Sequence, residues 1–228
     1  MSELMQGTRF RGYETRREVW VIAGQTFDLT WPADMDVLLD APRTHQRFDA
    51  DGYMPYWAQP WPGAVLLTEA VLAGERGARR PAVEIGCGVG LVSLAAARAD
   101  WSVTASDYDQ DAVAFAALNA ERNGLQLAGT RIIDFRQSLD APLYDLVLAA
   151  DLLYERRNGQ PIARWVASAL RPGGTALLSD PNRSAAEGFS DLARAAGLVT
   201  SLVDVETIGP AGLVIRGRIW RLGLSPRQ

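Results

Sequence analysis

Glu84-Ile85-Gly86-Cys87-Gly88-Val89-Gly90 closes one apolar run, Ala82 to Ile85, and opens a second, Leu91 to Arg98, that reads as a helix. Glycine at every second position lets the main chain approach a ligand where any Cβ would collide. The helix that follows turns its unpaired amides toward the same place. The segment therefore reads as a cofactor loop between a strand and a helix. A nicotinamide fingerprint puts its third glycine one residue later, where this chain has Leu91, so the spacing argues against a dehydrogenase.

Downstream, short apolar runs at Ser102 to Ser106, Thr130 to Asp134, Leu146 to Ala150 and Thr175 to Ser179 predict strands of the kind buried on both faces. Helices are predicted over Asp109 to Asn123, Pro161 to Leu170 and Ser184 to Ala196; glycines at 124 and 197 stop the first and the last. This alternation predicts a mainly parallel sheet. Leu198 to Glu206 and Leu213 to Leu222 are joined by Thr207-Ile208-Gly209-Pro210-Ala211-Gly212, too short for a crossover helix, and should pair antiparallel.

Upstream, a helix is predicted from Pro62, with Val65, Leu66, Ala70 and Val71 on its apolar side. Two β-branched and aromatic runs around Ala23-Gly24-Gln25 read as a hairpin, followed by a short helix at Met35 to Asp40. Ala41 to Gly63 contains four prolines and no helical or strand period, so it is expected to be a loop, and a lid over substrate or cofactor would explain its length. The expected organisation is one structural domain, with an extension over residues 1–61 and a core over 62–228.

The 228 residues are 48% hydrophobic and 22% charged, which excludes disordered and fibrous classes. A net charge of -4 gives no field to attract polyanions, so neither a nucleic-acid nor a membrane partner is expected. All 23 basic residues are arginine, which removes Schiff-base and lysine-nucleophile chemistry. One histidine, His45, and one cysteine, Cys87, supply no metal cluster, so no metal is expected. The N-terminus lacks an apolar leader and no window is long enough to span a bilayer, which reads as a cytoplasmic protein.

Asp107 ends the second core strand about 20 residues after Gly86, where an open α/β sheet presents a carboxylate to the ribose hydroxyls of an adenosine ligand. Asp109 is better placed to cap the next helix. Asp134 and Phe135, closing the third strand, are positioned to face the adenine as acceptor and apolar wall. The run Tyr144 to Ala150 delivers Asp151-Leu152-Leu153-Tyr154 to the sheet edge beside the glycine loop.

Acid, any residue, then Gly at alternate positions resembles the first motif of S-adenosylmethionine-dependent methyltransferases. That family implies a Rossmann-like α/β fold, a mainly parallel seven-strand sheet with an antiparallel C-terminal strand, here extended by an N-terminal β-hairpin. Asp151-Leu152-Leu153-Tyr154 is similar to the Asp-Xaa-Xaa-Tyr of the seven-strand protein-lysine methyltransferases called family 16. Pro55-Tyr56-Trp57-Ala58-Gln59-Pro60-Trp61-Pro62 resembles the Trp-containing loop of the branch that methylates the electron-transfer flavoprotein β-subunit. Asp180-Pro181-Asn182-Arg183 is similar to the Asp-Pro-Gly-Arg of the same branch. The chain departs at Phe135, where the family commonly has Trp, and at Gln59-Pro60.

The resemblance implies S-adenosylmethionine as cofactor, released as S-adenosylhomocysteine. Gly86, Cys87, Gly88 and Gly90, with Glu84 and Trp61, would hold its methionyl part, and Asp107, Tyr108, Asp134, Phe135 and Asp151 the rest. Asp151 would orient an acceptor amine and Tyr154 form its wall, with Tyr56, Trp57, Asp180 and Arg183 on the substrate side. The acceptor is expected to be a protein lysine; a small-molecule amine or pyridine, and a non-catalytic interaction protein, are the other readings.

Overall fold

The structure, a computed structural model, describes residues 8–137 and 144–225. Three strands, β1 (Arg9–Phe10), β2 (Tyr13–Ile22) and β3 (Gln25–Pro32), form an antiparallel sheet of their own. Ala23 and Gly24, with φ of 48° and 72°, make the tight turn that suits a two-residue hairpin. Helices α1 (Met35–Leu39), α2 (Pro42–Asp51) and α3 (Pro62–Ala73) follow. The predicted loop of 41–63 thus contains a helix. Pro42 starts α2 and Gly52, at φ 74°, stops it, but Thr44 is its only buried residue, so it carries no apolar stripe.

The core then runs β4 (Pro81–Glu84), α4 (Leu91–Arg98), β5 (Ser102–Asp107), α5 (Gln110–Arg122), β6 (Gly129–Ile132), β7 (Tyr144–Ala150), α6 (Gly159–Ala169), β8 (Leu170–Asp180), α7 (Phe189–Ala195), β9 (Leu198–Ile208) and β10 (Val214–Leu224). The sheet order is β6-β5-β4-β7-β8-β10-β9. The strands are parallel from β6 to β8, and β10 pairs antiparallel with both its neighbours. This is the expected Rossmann-like methyltransferase architecture.

Period-two alternation in β7 builds the two faces of the core. Leu146, Leu148 and Ala150 join the layer of α3, α4 and α5, while Val147 and Ala149 join the layer of α6 and α7. The N-terminal sheet is sewn to α5 by two asparagines: Asn119 accepts the Thr30 amide and donates to the Thr30 and Val89 carbonyls, and Asn123 does the same for Asp28.

Two further expectations differ. β6 lies at the sheet edge with all four residues exposed, rather than buried on both faces, and it ends at Ile132, so Asp134 and Phe135 fall in the turn beyond it. The helix expected over 184–196 is a single 3-10 turn at Ser184–Ala186 followed by α7, because Gly188 at φ 78° breaks the run.

Candidate functional site

The chain runs outward from β4 through β5 to β6, then reverses through β7 to β8, so the crevice between β4 and β7 is where an open sheet of this kind takes its ligands. A cleft of about 490 Å³ lies there, within the size range of small-molecule sites. The glycine loop after β4 and Asp151 after β7 both line it.

The glycines of the loop lie close against neighbouring parts of the chain, and Gly86 and Gly88 line the cleft. A Cβ on Gly86, at φ +62°, would lie 2.4 Å from the Leu152 side chain, and one on Gly88, at φ +51°, 3.1 Å from the Trp57 carbonyl. Gly90 is packed in the same way, where a Cβ would meet Ala116 of α5 at 2.8 Å. Cys87 is buried against Ala105, Val113 and Ala116, and burial pushes its thiol well above the ordinary value.

Asp107 ends β5 with Oδ2 accepting the Gly88 amide at 2.9 Å and Oδ1 accepting the Asp109 amide at 2.9 Å. Burial raises its carboxyl to about 6. Asp109 caps α5 through the Asp111 amide, as expected, which leaves Asp107 to the cleft. Glu84 is fully buried below the loop with Ser93 Oγ donating to it at 2.5 Å, and burial pushes it up to about 8.

The segment expected to form a lid borders the cleft on the Asp107 side, through the end of α2 and Tyr53. Arg47 of α2 donates to Asp109 at 2.6 Å and lies 3.3 Å over the Tyr53 ring, and the Tyr53 hydroxyl donates to the same carboxylate at 2.5 Å. The Tyr108 hydroxyl donates to Asp51 at 2.6 Å, which holds Asp51 below the usual carboxylate range. The proline start and glycine stop of α2 were the available signals. Asp134 lines the cleft, but its oxygens take the Arg136 guanidinium at 2.8 and 3.0 Å; burial raises its carboxyl and these bonds outweigh burial, leaving it lowered. Phe135 lines the cleft beside it.

Asp151 has a left-handed backbone, φ 61°, a conformation costly for a residue with a side chain and concentrated at functional sites. It is 7% exposed. Oδ2 accepts the Ala64 amide in the first turn of α3 at 3.0 Å, and Oδ1 accepts Arg183 Nη1 at 2.6 Å. Burial raises its carboxyl, partly offset by Arg183. Its approach to α3 requires Gly63, where a Cβ would lie 2.4 Å from Oδ2.

On the expected substrate side, Tyr56 packs edge-on against Trp61 at 6.0 Å and against Tyr154 at 5.2 Å, and Trp61 donates to the Tyr56 carbonyl. Tyr154 is 38% exposed at the cleft mouth, and burial of the rest of its ring raises its hydroxyl. Two residues are placed otherwise than expected. Trp57 borders the cleft, but its ring is committed to Tyr13 and Phe115 in the core and its Nε1 donates to Tyr53. Asp180 is 0% exposed and does not line the cleft; it accepts the Arg183 amide at 2.6 Å and Arg183 Nη1 at 3.2 Å, fixing the arginine that does. Asn182, where the similar motif has glycine, takes the left-handed turn at φ 64° that asparagine tolerates.

Among the described residues no helix is long and apolar enough to cross a membrane. Residues 83–176, from within β4 into β8, match the family described as methyltransferase domain. A ubiquinone biosynthesis O-methyltransferase of Xanthomonas axonopodis pv. citri is 35% identical over 111 residues, 46% of this chain and 44% of that protein. One of the same name from Caulobacter vibrioides is 31% identical over 140 residues, 60% of this chain and 48% of that protein. The chain thus spans under half the length of these curated relatives. A solved SAM-dependent methyltransferase from Methanosarcina mazei superposes with a TM-score of 0.54 at 16% identity, covering 67% of this chain and 95% of that one, a likeness of fold. Both relatives are named for O-methylation, whereas the motifs resemble N-methylating enzymes.

Proposed function

We propose that the chain is an S-adenosylmethionine-dependent methyltransferase whose acceptor is an amine, in the first reading a protein lysine. The observation that carries the amine is the aromatic corner of Tyr56, Trp61 and Tyr154 at the mouth of a cleft that also holds the buried Asp151. Such a corner takes the apolar stem of an alkyl amine and shields its nitrogen from water. The residues suit the cofactor: the lining of the cleft by Gly86, Cys87 and Gly88 supports a place for the methionyl part, and the Asp107 carboxylate at the same cleft supports the ribose. When bound, the cofactor supplies an electrophilic methyl group on a positive sulfonium.

The protein's part is positioning and desolvation. An amine of pKa ~10.4 must give up a proton before its lone pair can react, and lowering it by about 3 units costs on the order of 4 kcal/mol. Tyr56 and Tyr154 remove water from the amine, which favours its neutral form. Asp151, held by the Ala64 amide and Arg183, has a fixed orientation from which it directs an incoming N–H.

A small-molecule acceptor is the second reading, favoured by α2 and Tyr53 covering the ribose side of the cleft and by the relatives' names. Incubation with tritiated S-adenosylmethionine and cell lysate, wild type beside Tyr154→Ala, separates the two. A discrete labelled protein band that fades in the variant and yields methyl-lysine on hydrolysis supports the first reading. Label confined to small molecules supports the second, and no transfer to any acceptor overturns both.

A further inference from the structure

We propose that the outer strand of the sheet, β9, is the seam of a two-fold dimer in which it pairs antiparallel with β9 of a second copy. Among the described residues β9 is hydrogen-bonded on one side alone, to β10, and the register runs unbroken through all eleven pairs from Val214↔Ile208 to Leu224↔Leu198. The opposite edge, β6, is four residues long, the ordinary way to blunt an edge. β9 is eleven residues long and has neither proline, lysine nor bulge, its charged residues being confined to its second half. Six of the thirteen exposed large apolar side chains among the described residues lie on the β9–β10 hairpin: Val199, Leu202, Val203, Ile208, Leu213 and Val214.

The sequence of the strand selects a second copy as its occupant. Its first half, Leu198 to Val203, is neutral, and its acids, Asp204 and Glu206, lie in the second. Opposite residues of an antiparallel pair share a face, so a two-fold seam must match residues of equal parity. Centred on Leu202, it sets Thr200 against Asp204 of the second copy and Val199 against Val205, so the acidic half of each strand meets the neutral half of the other. The two Asp204 carboxylates then stand four residues apart along the strand, about 13 Å, beyond the screening length of ~8 Å at physiological salt. Glu206 is already neutralised by Arg216 at 2.6 Å. Backbone pairing supplies the attraction and Leu202 packs on its own mate.

Sedimentation velocity over a concentration series tests the seam, with S-adenosylmethionine binding and thermal melting as controls for folding. The wild type is expected to dimerise, and Leu202→Lys, a change at a side chain 46% exposed, to be monomeric with the cooperative melt of the wild type at concentrations too low for it to dimerise. Opposed residues approach to about 4.5–5.5 Å between Cα atoms, within reach of a disulfide. Oxidised Leu202→Cys is therefore expected to cross-link two chains, whereas the more exposed Ile208→Cys, twelve residues from its mate in this register, is not; the natural Cys87 is buried. A wild type that stays monomeric, a Leu202→Lys that still dimerises, or cross-linking that is equal at 202 and 208 overturns the proposal. A foreign peptide strand as the true occupant would give the first of these results.

Discussion

The carboxylate of Asp107 and the amide of Gly88 are joined by a 2.9 Å hydrogen bond, so the acid that ends β5 and the glycine loop that follows β4 form one rigid rim. Because burial lifts this carboxyl to about 6, the proposed contact with ribose hydroxyls would be pH-gated. Affinity for S-adenosylmethionine should be flat above about pH 7 and fall roughly tenfold per pH unit below 6. Calorimetric titrations from pH 5 to 8 check this; a dissociation constant indifferent to pH across that range contradicts it.

Glu84 affects the folded state itself. Burial pushes it from 4.5 up to about 8, so between those values the folded chain keeps a proton that the unfolded chain has released. The folded state binds more protons there, so stability falls as pH rises through the window, and the loss is complete above about 8. Glu84→Gln keeps the acceptor for Ser93 and removes the titration. Urea midpoints at pH 5.5 and 8.5 should diverge less in the variant than in the wild type; equal divergence would remove Glu84 as the cause.

Gly63→Ala places a methyl group 2.4 Å from Asp151 Oδ2 and 2.7 Å from its Cγ, inside the first turn of α3. Overpacking of this kind costs about 1–3 kcal/mol. The melting temperature should drop, and methyl transfer should fall further than the loss of folded protein accounts for, because Asp151 must turn away. Wild-type turnover per folded molecule would show that the orientation of Asp151 is unimportant.

Arg183→Met leaves Asp151 buried without its cation, while the Ala64 amide remains. With the offsetting charge gone, the carboxyl should rise further, and the acid limb of the rate profile should move to higher pH. A general loss of rate with no movement of that limb would assign Arg183 to substrate contact alone.

Much of the fold was legible because its signals are local. The glycine loop, Pro62 at the start of α3, the Asp109 cap and the alternation of β7 each declare themselves within a few residues. α2 was not legible, because a helix that buries only Thr44 has no apolar period; it is held by Arg47 and Asp51 reaching residues about sixty positions away. Asp151, Tyr154 and Arg183 were placed in the cleft from sequence alone. Trp57 and Asp180 share their motifs, yet burial turned one ring into core and one carboxylate into a brace for Arg183. Motif spacing gives position along the chain, and only packing decides which way a side chain faces.

The proposed cofactor site is formed by the Gly86–Gly90 loop and Asp107. Equilibrium titration of S-adenosylmethionine against wild type and Asp107→Ala, with folding of both checked by thermal melt, tests it most directly. Loss of a charge-assisted hydrogen bond is worth about 1.5–3 kcal/mol, so the account predicts one cofactor bound per wild-type chain and affinity roughly ten- to a hundredfold weaker in the variant. A wild type that binds no S-adenosylmethionine, or a variant that binds it as tightly, would contradict it.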